Sequence, residues 1–356
     1  MPTLEAQTIP DLIQATLDDL QPMTLTDLTT DVQEHVAFNR LMKKSQVDFQ
    51  SGLQVRINIM TASVNNARFV GLYQTDGEIN QQDVLDHGSV PWRFSDFNWA
   101  WDEREIDINN GQSQIQDYVK TKRQASLIGW AEFIETWFWG SVPATTDVKT
   151  PYPLRYWIVK STSSAGFNGG APTGSDSVAY TSVGGISPST YSRWKNYTAP
   201  FTNITEEDLI QKWRTATRKV NFRPPVGVQM TNMFGTGLMY EHYTNESNYT
   251  QFESLGDKRN DNLGYDFAGQ TPTFARAPVQ WVPKLDNDTD DPIYSINWGR
   301  FKTAILKGKW MRERPAMQAP FQHNVWVVWV DSQWNMICSD RRSQAVLSRS
   351  ASYTGN

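Results

Sequence analysis

The sequence predicts an α+β fold in which a long antiparallel excursion feeds one long amphipathic helix and further strands return after it. Three observations carry this reading. Leu53, Val55, Ile57 and Ile59 alternate with Gln54, Arg56 and Asn58, the period-two pattern of a strand with one buried face. Over residues 111–139 the apolar residues Ile115, Tyr118, Val119, Leu127, Trp130, Ala131, Ile134, Trp137 and Phe138 fall mostly three and four apart, which is the helical period. Beyond Pro278, short runs rich in Val, Ile, Tyr and Trp recur between turn residues, as strands do.

Each element follows from local pattern. Residues 1–46 are polar: Ile13, Leu17 and Leu20 share one helical face, and Thr26 is placed to cap a segment running through Leu28, Val32 and Val36. Neither half is apolar enough to fold alone, so this stretch reads as an arm that lies on something else. Residues 47–108 read as strand-rich, with turn signals at Gly71, Asp76-Gly77 and Gly88. Phe97, Trp99 and Trp101 alternate with Asn98 and Ala100, and Ile106 and Ile108 extend the pattern past an acidic interruption. Asn109 or Asn110 caps the helix, and Gly140 followed by Pro143 ends it. At ~1.5 Å per residue such a helix is about 43 Å long, a scaffold element well beyond the mean length.

Further on, the sequence predicts a strand over 156–159, an exposed low-complexity loop over 161–190 and a helix over 206–220 with Leu209, Trp213 and Ala216 on one side. A strand over 238–243 and a polar helix over 249–263 follow. The last strands are expected at 278–282, 293–298, 325–331 and 334–338, the final two joined as a tight hairpin by Ser332-Gln333. There is no internal repeat.

Composition narrows the function. The 356 residues suffice for one large or two interlocked domains, and a charged share of 20% with mean hydropathy -0.55 marks a polar, soluble chain. No apolar run approaches the ~20 residues that span a bilayer, and the start lacks the basic and apolar regions of a signal peptide, so neither membrane nor secretion is expected. The single Cys338 excludes an internal disulfide, and the sequons at Asn196, Asn203, Asn245 and Asn248 read as chance without a secretion signal. A net charge of -5 argues against global affinity for nucleic acid, leaving room for a local basic face. Fifteen tryptophans exceed ordinary need and suggest aromatics to spare for interfaces.

The search for chemistry finds no catalytic residue, cofactor motif or metal motif. His35, His87, His242 and His323 are far apart, and none stands at ligand spacing from another His or Cys. Asp286-Asn287-Asp288-Thr289-Asp290 matches half of a calcium loop, but Asp291 and Asn297 replace the required Gly and Glu, so a solvated acidic turn fits better. Gly235-Thr236-Gly237 is a turn, not a phosphate loop. Trp99, Trp101, Asp102, Glu103 and Glu105 raise the idea of a sugar cleft. Alternation separates the carboxylates onto opposite faces, so a charged edge strand is the better reading. Lys120, Lys122 and Arg123 read as a solvated or salt-bridged face. Arg341, Arg342 and Arg349 have no carboxylate after Asp340 and are candidates for phosphate contact.

Several C-terminal runs then point to a family. Ala277-Pro278-Val279-Gln280-Trp281-Val282-Pro283, Pro292-Ile293-Tyr294-Ser295-Ile296-Asn297-Trp298-Gly299, Phe301-Lys302 and Lys307-Gly308-Lys309-Trp310-Met311-Arg312-Glu313 resemble the major capsid proteins of tailed phages. So do Gln322-His323-Asn324-Val325, Val328-Trp329-Val330-Asp331 and Arg341-Arg342-Ser343-Gln344-Ala345-Val346-Leu347, and, less sharply, Leu238-Met239-Tyr240 with Asn260-Asp261-Asn262-Leu263-Gly264. The match covers roughly residues 235–348; earlier, only element order agrees. The resemblance implies the Hong Kong 97-type fold: an N-terminal arm (1–46), an extended E-loop (47–96), a peripheral strand and spine helix (97–140), an axial domain (141–276) and returning peripheral strands with a C-terminal tail (277–356).

It also implies a structural protein, not an enzyme, that self-assembles through pentamers and hexamers into an icosahedral shell around double-stranded DNA. The implied location is the virion, with assembly in the host cytoplasm. Val55, Arg56, Ile57, Arg68, Phe69, Trp92, Trp99 and Trp101 are then the expected contacts between subunits, and Arg341, Arg342 and Arg349 the expected interior phosphate contacts. Scaffold, portal and decoration proteins are implied partners; the short arm leaves no room for a large N-terminal scaffolding domain, and no motif supports a covalent crosslink. An encapsulin-like nanocompartment shell shares the fold, and a carbohydrate-active or sugar-binding protein is the alternative from another class.

Overall fold

A computed structural model describes residues 35–43, 46–49, 52–60, 69–73, 85–108, 112–220, 240–250, 273–274, 277–286 and 288–352. The elements begin with α1 (Val36–Lys43), β1 (Gln46–Phe49), β2 (Gln54–Met60), β3 (Leu85–Pro91) and β4 (Arg93–Asp102). The short α2 (Glu103–Ile108) leads to the long α3 (Gln112–Trp139), and a single turn, α4 (Leu154–Trp157), precedes β5 (Gly166–Gly169) and β6 (Asn196–Phe201). A π-helical turn (Glu206–Ile210) runs into α5 (Gln211–Val220), then β7 (Tyr240–Thr244), β8 (Thr273–Phe274), β9 (Ala277–Trp281), β10 (Ile293–Asn297) and β11 (Phe301–Leu306). The last strands are β12 (Arg312–Glu313), β13 (Met317–Gln318), β14 (Val325–Cys338) and β15 (Ala345–Arg349).

Two sheets and a separate hairpin organise these elements. β14 is the axis of the first sheet. Its N-terminal part pairs with β4 from Val325↔Asp102 to Trp334↔Arg93, and its C-terminal part pairs with β11 from Trp334↔Ile305 to Cys338↔Phe301. β1 adds in parallel to β11, and the short β12 and β13 also pair with β14. The second sheet has the order β5-β6-β15-β10-β7-β9-β8. β2 and β3 pair only with each other.

Aromatic rings weld α3 to the first sheet. Trp130 stacks on Phe97 at 5.5 Å and meets Trp310 edge-on at 5.7 Å; Trp310 meets Trp334 at 6.0 Å, and Trp334 meets Trp137 at 4.8 Å. Phe138 continues the run to Trp298 and Phe301. Such pairs add ~0.5–1.5 kcal/mol each beyond their buried area. Across the same layer Arg123 pairs with Glu313 at 2.7 Å, so this helical cation is salt-bridged, as the sequence suggested.

Several local expectations change. β14 passes straight through Ser332-Gln333, because Ser332 Oγ accepts from Met311 N at 3.0 Å and Gln333 N donates to Lys309 O at 2.9 Å. The dipeptide is tied to the connection between β11 and β12 and makes no turn. Ile106 and Ile108 belong to α2, which Asp102 caps by accepting from Arg104 N at 2.9 Å, with Glu103 and Glu105 in the first turn. The expected strand over 156–159 is instead the turn α4 after Pro153, with Leu154, Tyr156, Trp157 and Ile158 all buried, so no period-two face exists. The loop over 161–190 contains β5 and the buried Val183 and Ile186. The readings on residues 1–34 and most of the helix expected over 249–263 lie outside the described residues.

Candidate functional site

The β2–β3 hairpin is the element that stands apart. Its inward residues Val55, Ile57 and Val90 are buried, with Val55 opposite Val90 and Ile57 opposite Gly88. The seat beneath them is the loop around Gly184. Ser89 N donates to Gly184 O at 2.9 Å, and a Cβ on Gly88 would lie 2.6 Å from that same oxygen. Gly184 and Gly185 have φ of 60° and 85°, a region glycine enters freely, and this bend lets the loop carbonyl meet the strand. At the hairpin mouth Trp92 Nε1 donates to Gly52 O at 2.8 Å while Phe49 meets the Trp92 ring edge-on at 6.0 Å.

Beyond the seat, apolar side chains turn outward. Leu53, Met60 and Leu85 are exposed, and in the segment 69–73 the side chains of Phe69, Val70, Leu72 and Tyr73 are all exposed, Phe69 and Tyr73 almost completely. Contiguous exposed apolar runs of this kind are uncommon on protein surfaces and are typical of interaction sites. Tyr73 holds φ at 65°, a conformation uncommon outside glycine, so the ring is presented by a constrained backbone. A second exposed aromatic, Phe321 at φ 67°, caps the turn between β13 and β14.

No family model and no curated protein sequence matches the chain. Solved structures do. A chain from the cyanophage A-1(L) capsid asymmetric unit superposes with a TM-score of 0.58 at 14% identity, over 91% of this chain and 94% of that one. A chain from the capsid of a native GTA particle gives 0.51 at 10% identity, over 90% and 92%. The chain has the Hong Kong 97-type capsid fold. Within the ranges expected from the sequence, β2–β3 lies in the stretch read as the E-loop, α3 in the stretch read as the spine helix, and β5 to β8 of the seven-stranded sheet in the stretch read as the axial domain. The resemblance seen in the sequence is thereby supported at the level of structure.

The capsid fold distributes the expected contact residues unevenly. Arg56 and Phe69 face outward, and Arg68 lies outside the described residues. Val55 and Ile57 are buried against their own chain, so they seat the hairpin and do not reach a neighbour. Trp92 is half-buried and pins the hairpin mouth. Trp99 and Trp101, only 5% and 2% exposed, pack on each other at 5.2 Å and cannot act as inter-subunit anchors. Their burial also removes the aromatic platform a sugar cleft needs, and Glu103 is engaged by Trp326 Nε1 at 2.6 Å. The abundant tryptophans mostly serve the core. Leu53, read with the buried face of its strand, is instead exposed just before β2. Leu72, Tyr73, Leu85 and Phe321 were missed; for the first two, apolar residues flanking the Gly71 turn were the available signal.

The arginines are corrected too. Arg341 is wholly buried, donating to Trp157 O at 2.8 Å, Trp194 O at 2.9 Å, Gly170 O at 2.8 Å and Gly169 O at 3.2 Å, and to Asn196 Oδ1 at 3.3 Å. Burial without a carboxylate pushes its pKa down to about 10. It holds the fold and touches no solvent phosphate. Arg349 is paired with Asp291. Arg342 alone of the three is exposed, lying over the Phe167 ring at 3.9 Å.

Polar clusters elsewhere are structural. His242 Nδ1 lies 2.8 Å from Ser295 Oγ, but both are buried, Trp213 Nε1 also donates to that oxygen, and burial pushes the imidazole down to about 4. Burial pushes the Cys338 thiol up to about 12. The acidic turn after Leu285 is an ion-pair hub, with Asp288 taking Lys160 at 2.6 Å and Arg155 at 2.8 Å. Burial opposes its ionisation, yet the Lys160 hydrogen bond and both charges hold the carboxyl below its usual value. Among the described residues no group of three or more His, Cys, Asp and Glu is placed to hold a metal ion, and no helix is long and apolar enough to cross a membrane.

Proposed function

We propose that this chain is the major capsid protein of a tailed double-stranded DNA phage, assembling through pentamers and hexamers into an icosahedral shell around the genome. The capsid fold supports a shell component. The observation that carries the assembly reading is the exposed apolar run from Phe69 to Tyr73, borne by a hairpin whose base is fastened to its own axial loop. A fixed base and an uncovered apolar tip suit a limb that reaches a neighbouring subunit. In a closed shell each such contact is repeated, so modest individual affinities multiply. Arg56 and Phe69 are retained as inter-subunit contacts, and Arg342 as an interior contact with DNA phosphate.

The proposed division is arm 1–46, E-loop 47–96, peripheral strand and spine helix 97–140, axial domain 141–276, and returning strands with a tail over 277–356. Assembly takes place in the host cytoplasm, with separate scaffold, portal and decoration proteins as partners, and the role is structural, without catalysis. An encapsulin-like shell would use the same surfaces around protein cargo. Electron microscopy of the expressed protein combined with a nuclease-protection assay separates the readings. Shells from phage-infected cells that protect double-stranded DNA support the phage role, whereas shells filled with a co-purifying enzyme support the alternative.

A further inference from the structure

The first-turn amides of α1 are capped from another element. Ala37 N donates to Glu135 Oε1 at 3.3 Å and Phe38 N to Glu135 Oε2 at 2.8 Å, while Trp139 Nε1 donates to Oε1 at 2.7 Å. Glu135 is 0% exposed. Its three hydrogen bonds come from neutral donors, and no cation touches it among the described residues. One turn later Arg40 pairs with Glu241 of β7 at 2.9 Å and lies over the Trp298 ring at 5.5 Å. Phe38 meets Trp130 edge-on at 5.5 Å. Eight residues thus join the spine helix to the axial sheet, and β1, the next strand in sequence, lies at the border of the peripheral sheet.

We propose that α1 is a clasp: it fastens the spine helix to the axial sheet, it opens as a unit without unfolding either sheet, and Glu135 sets how tightly it holds. A carboxylate at a helix N-terminus is favourable, because it satisfies otherwise unpaired amides and complements the helix dipole. A carboxylate sealed from water with no cation against it is unfavourable. These two effects oppose each other in the closed clasp, and opening relieves the second.

Their balance has a sign. Burial raises the Glu135 carboxyl above its ordinary value of 4.5, outweighing the Phe38, Trp139 and Ala37 hydrogen bonds and the more distant charge of Lys284. The closed clasp therefore holds a proton more tightly than the open one. Its full strength is present below pH 4.5 and declines as pH rises through the raised value, so opening releases a proton. The charged or titratable groups on the elements packed here are His35 before α1, Arg40 with Glu241, Glu132 with Lys284, Tyr243 and Tyr294 against the Trp139 ring, and Lys302 near Arg40. Of these types only histidine ordinarily changes charge between pH 5 and 8, so His35 must be tested separately.

The test is hydrogen–deuterium exchange of the full chain at pH 5 and pH 7.5, corrected for the chemical pH dependence of exchange. Wild type, Glu135→Gln and His35→Gln are compared, with β10 and β14 as internal references. The expected result is greater protection of residues 36–43 at pH 5 than at pH 7.5 in wild type, by up to about tenfold per pKa unit of displacement. Glu135→Gln should show equal protection at both pH values, and His35→Gln should keep the wild-type difference. The proposal is overturned if wild-type protection does not change with pH, if Glu135→Gln keeps the change, or if residues 36–43 exchange only together with β10 and β14. The wild-type measurement decides the matter even if the variant folds poorly.

Discussion

Replacing Arg341 separates two roles that the sequence left joined. The guanidinium ties together the carbonyls of Trp157, Trp194, Gly169 and Gly170 and the amide oxygen of Asn196, all within one buried site. Arg341→Ala strands these acceptors. With a net cost of ~1 kcal/mol for each lost hydrogen bond, and more where water cannot replace the donor, the variant should lose about 3–6 kcal/mol. Much of an ordinary domain's stability of ~5–15 kcal/mol would go with it. Arg341→Lys keeps the charge and up to three donors on a point-like head, so it should lose less, about 2–4 kcal/mol. Urea unfolding of unassembled protein, followed by tryptophan fluorescence, measures both, since Trp157 and Trp194 lie at the site. If Arg341→Lys unfolds at the wild-type urea concentration while its particles lose DNA, Arg341 is a phosphate contact and the structural assignment fails.

Other outcomes follow from the same geometry. Gly88→Ala drives a methyl into Gly184 O and should loosen the hairpin seat by about 1–3 kcal/mol, read as faster protease cleavage within residues 52–91; unchanged cleavage would dismiss the seat. Phe69→Ser combined with Tyr73→Ser should abolish shell formation in light scattering while leaving the melting temperature of the unassembled chain nearly unchanged, because both rings are exposed. Asp288→Asn should cost about 1–2 kcal/mol at neutral pH by taking the carboxylate from Arg155 and leaving Lys160 with Asp290 alone. The lowered Asp288 pKa means that its stabilisation is present above the ordinary 3.8 and is lost as pH falls through the folded value, so the variant should flatten the acid limb of an unfolding titration.

What could be read from the sequence was whatever expressed itself as period. The helix expected over 111–139 became α3 because its apolar residues recur at helical spacing, and β2 and β4 kept their alternating faces. Burial type, by contrast, depends on what lies opposite. Trp99 and Trp101 look the same in sequence whether a neighbouring subunit or the chain itself covers them, and here they pack together inside. Arg341 and Arg342 are adjacent and chemically identical, yet one is enclosed by carbonyls from α4 and the loops flanking β5 and β6 while the other lies over Phe167. No local pattern encodes that difference. Nor could Ser332-Gln333 reveal that its hydrogen bonds would go sideways to Met311 and Lys309. Glu135 was similarly silent, since its importance arises from a helix almost a hundred residues earlier, at Ala37 and Phe38.

The central claim is that this fold builds a shell through the surface carried by its hairpin. Cryo-electron microscopy of the purified protein, imaged alone and after co-expression with candidate scaffold proteins, tests it most directly. The account predicts closed icosahedral particles in which density for Phe69 to Tyr73 lies against an adjacent subunit. A protein that stays monomeric at high concentration under both conditions, or shells in which that segment faces open solvent, would contradict it.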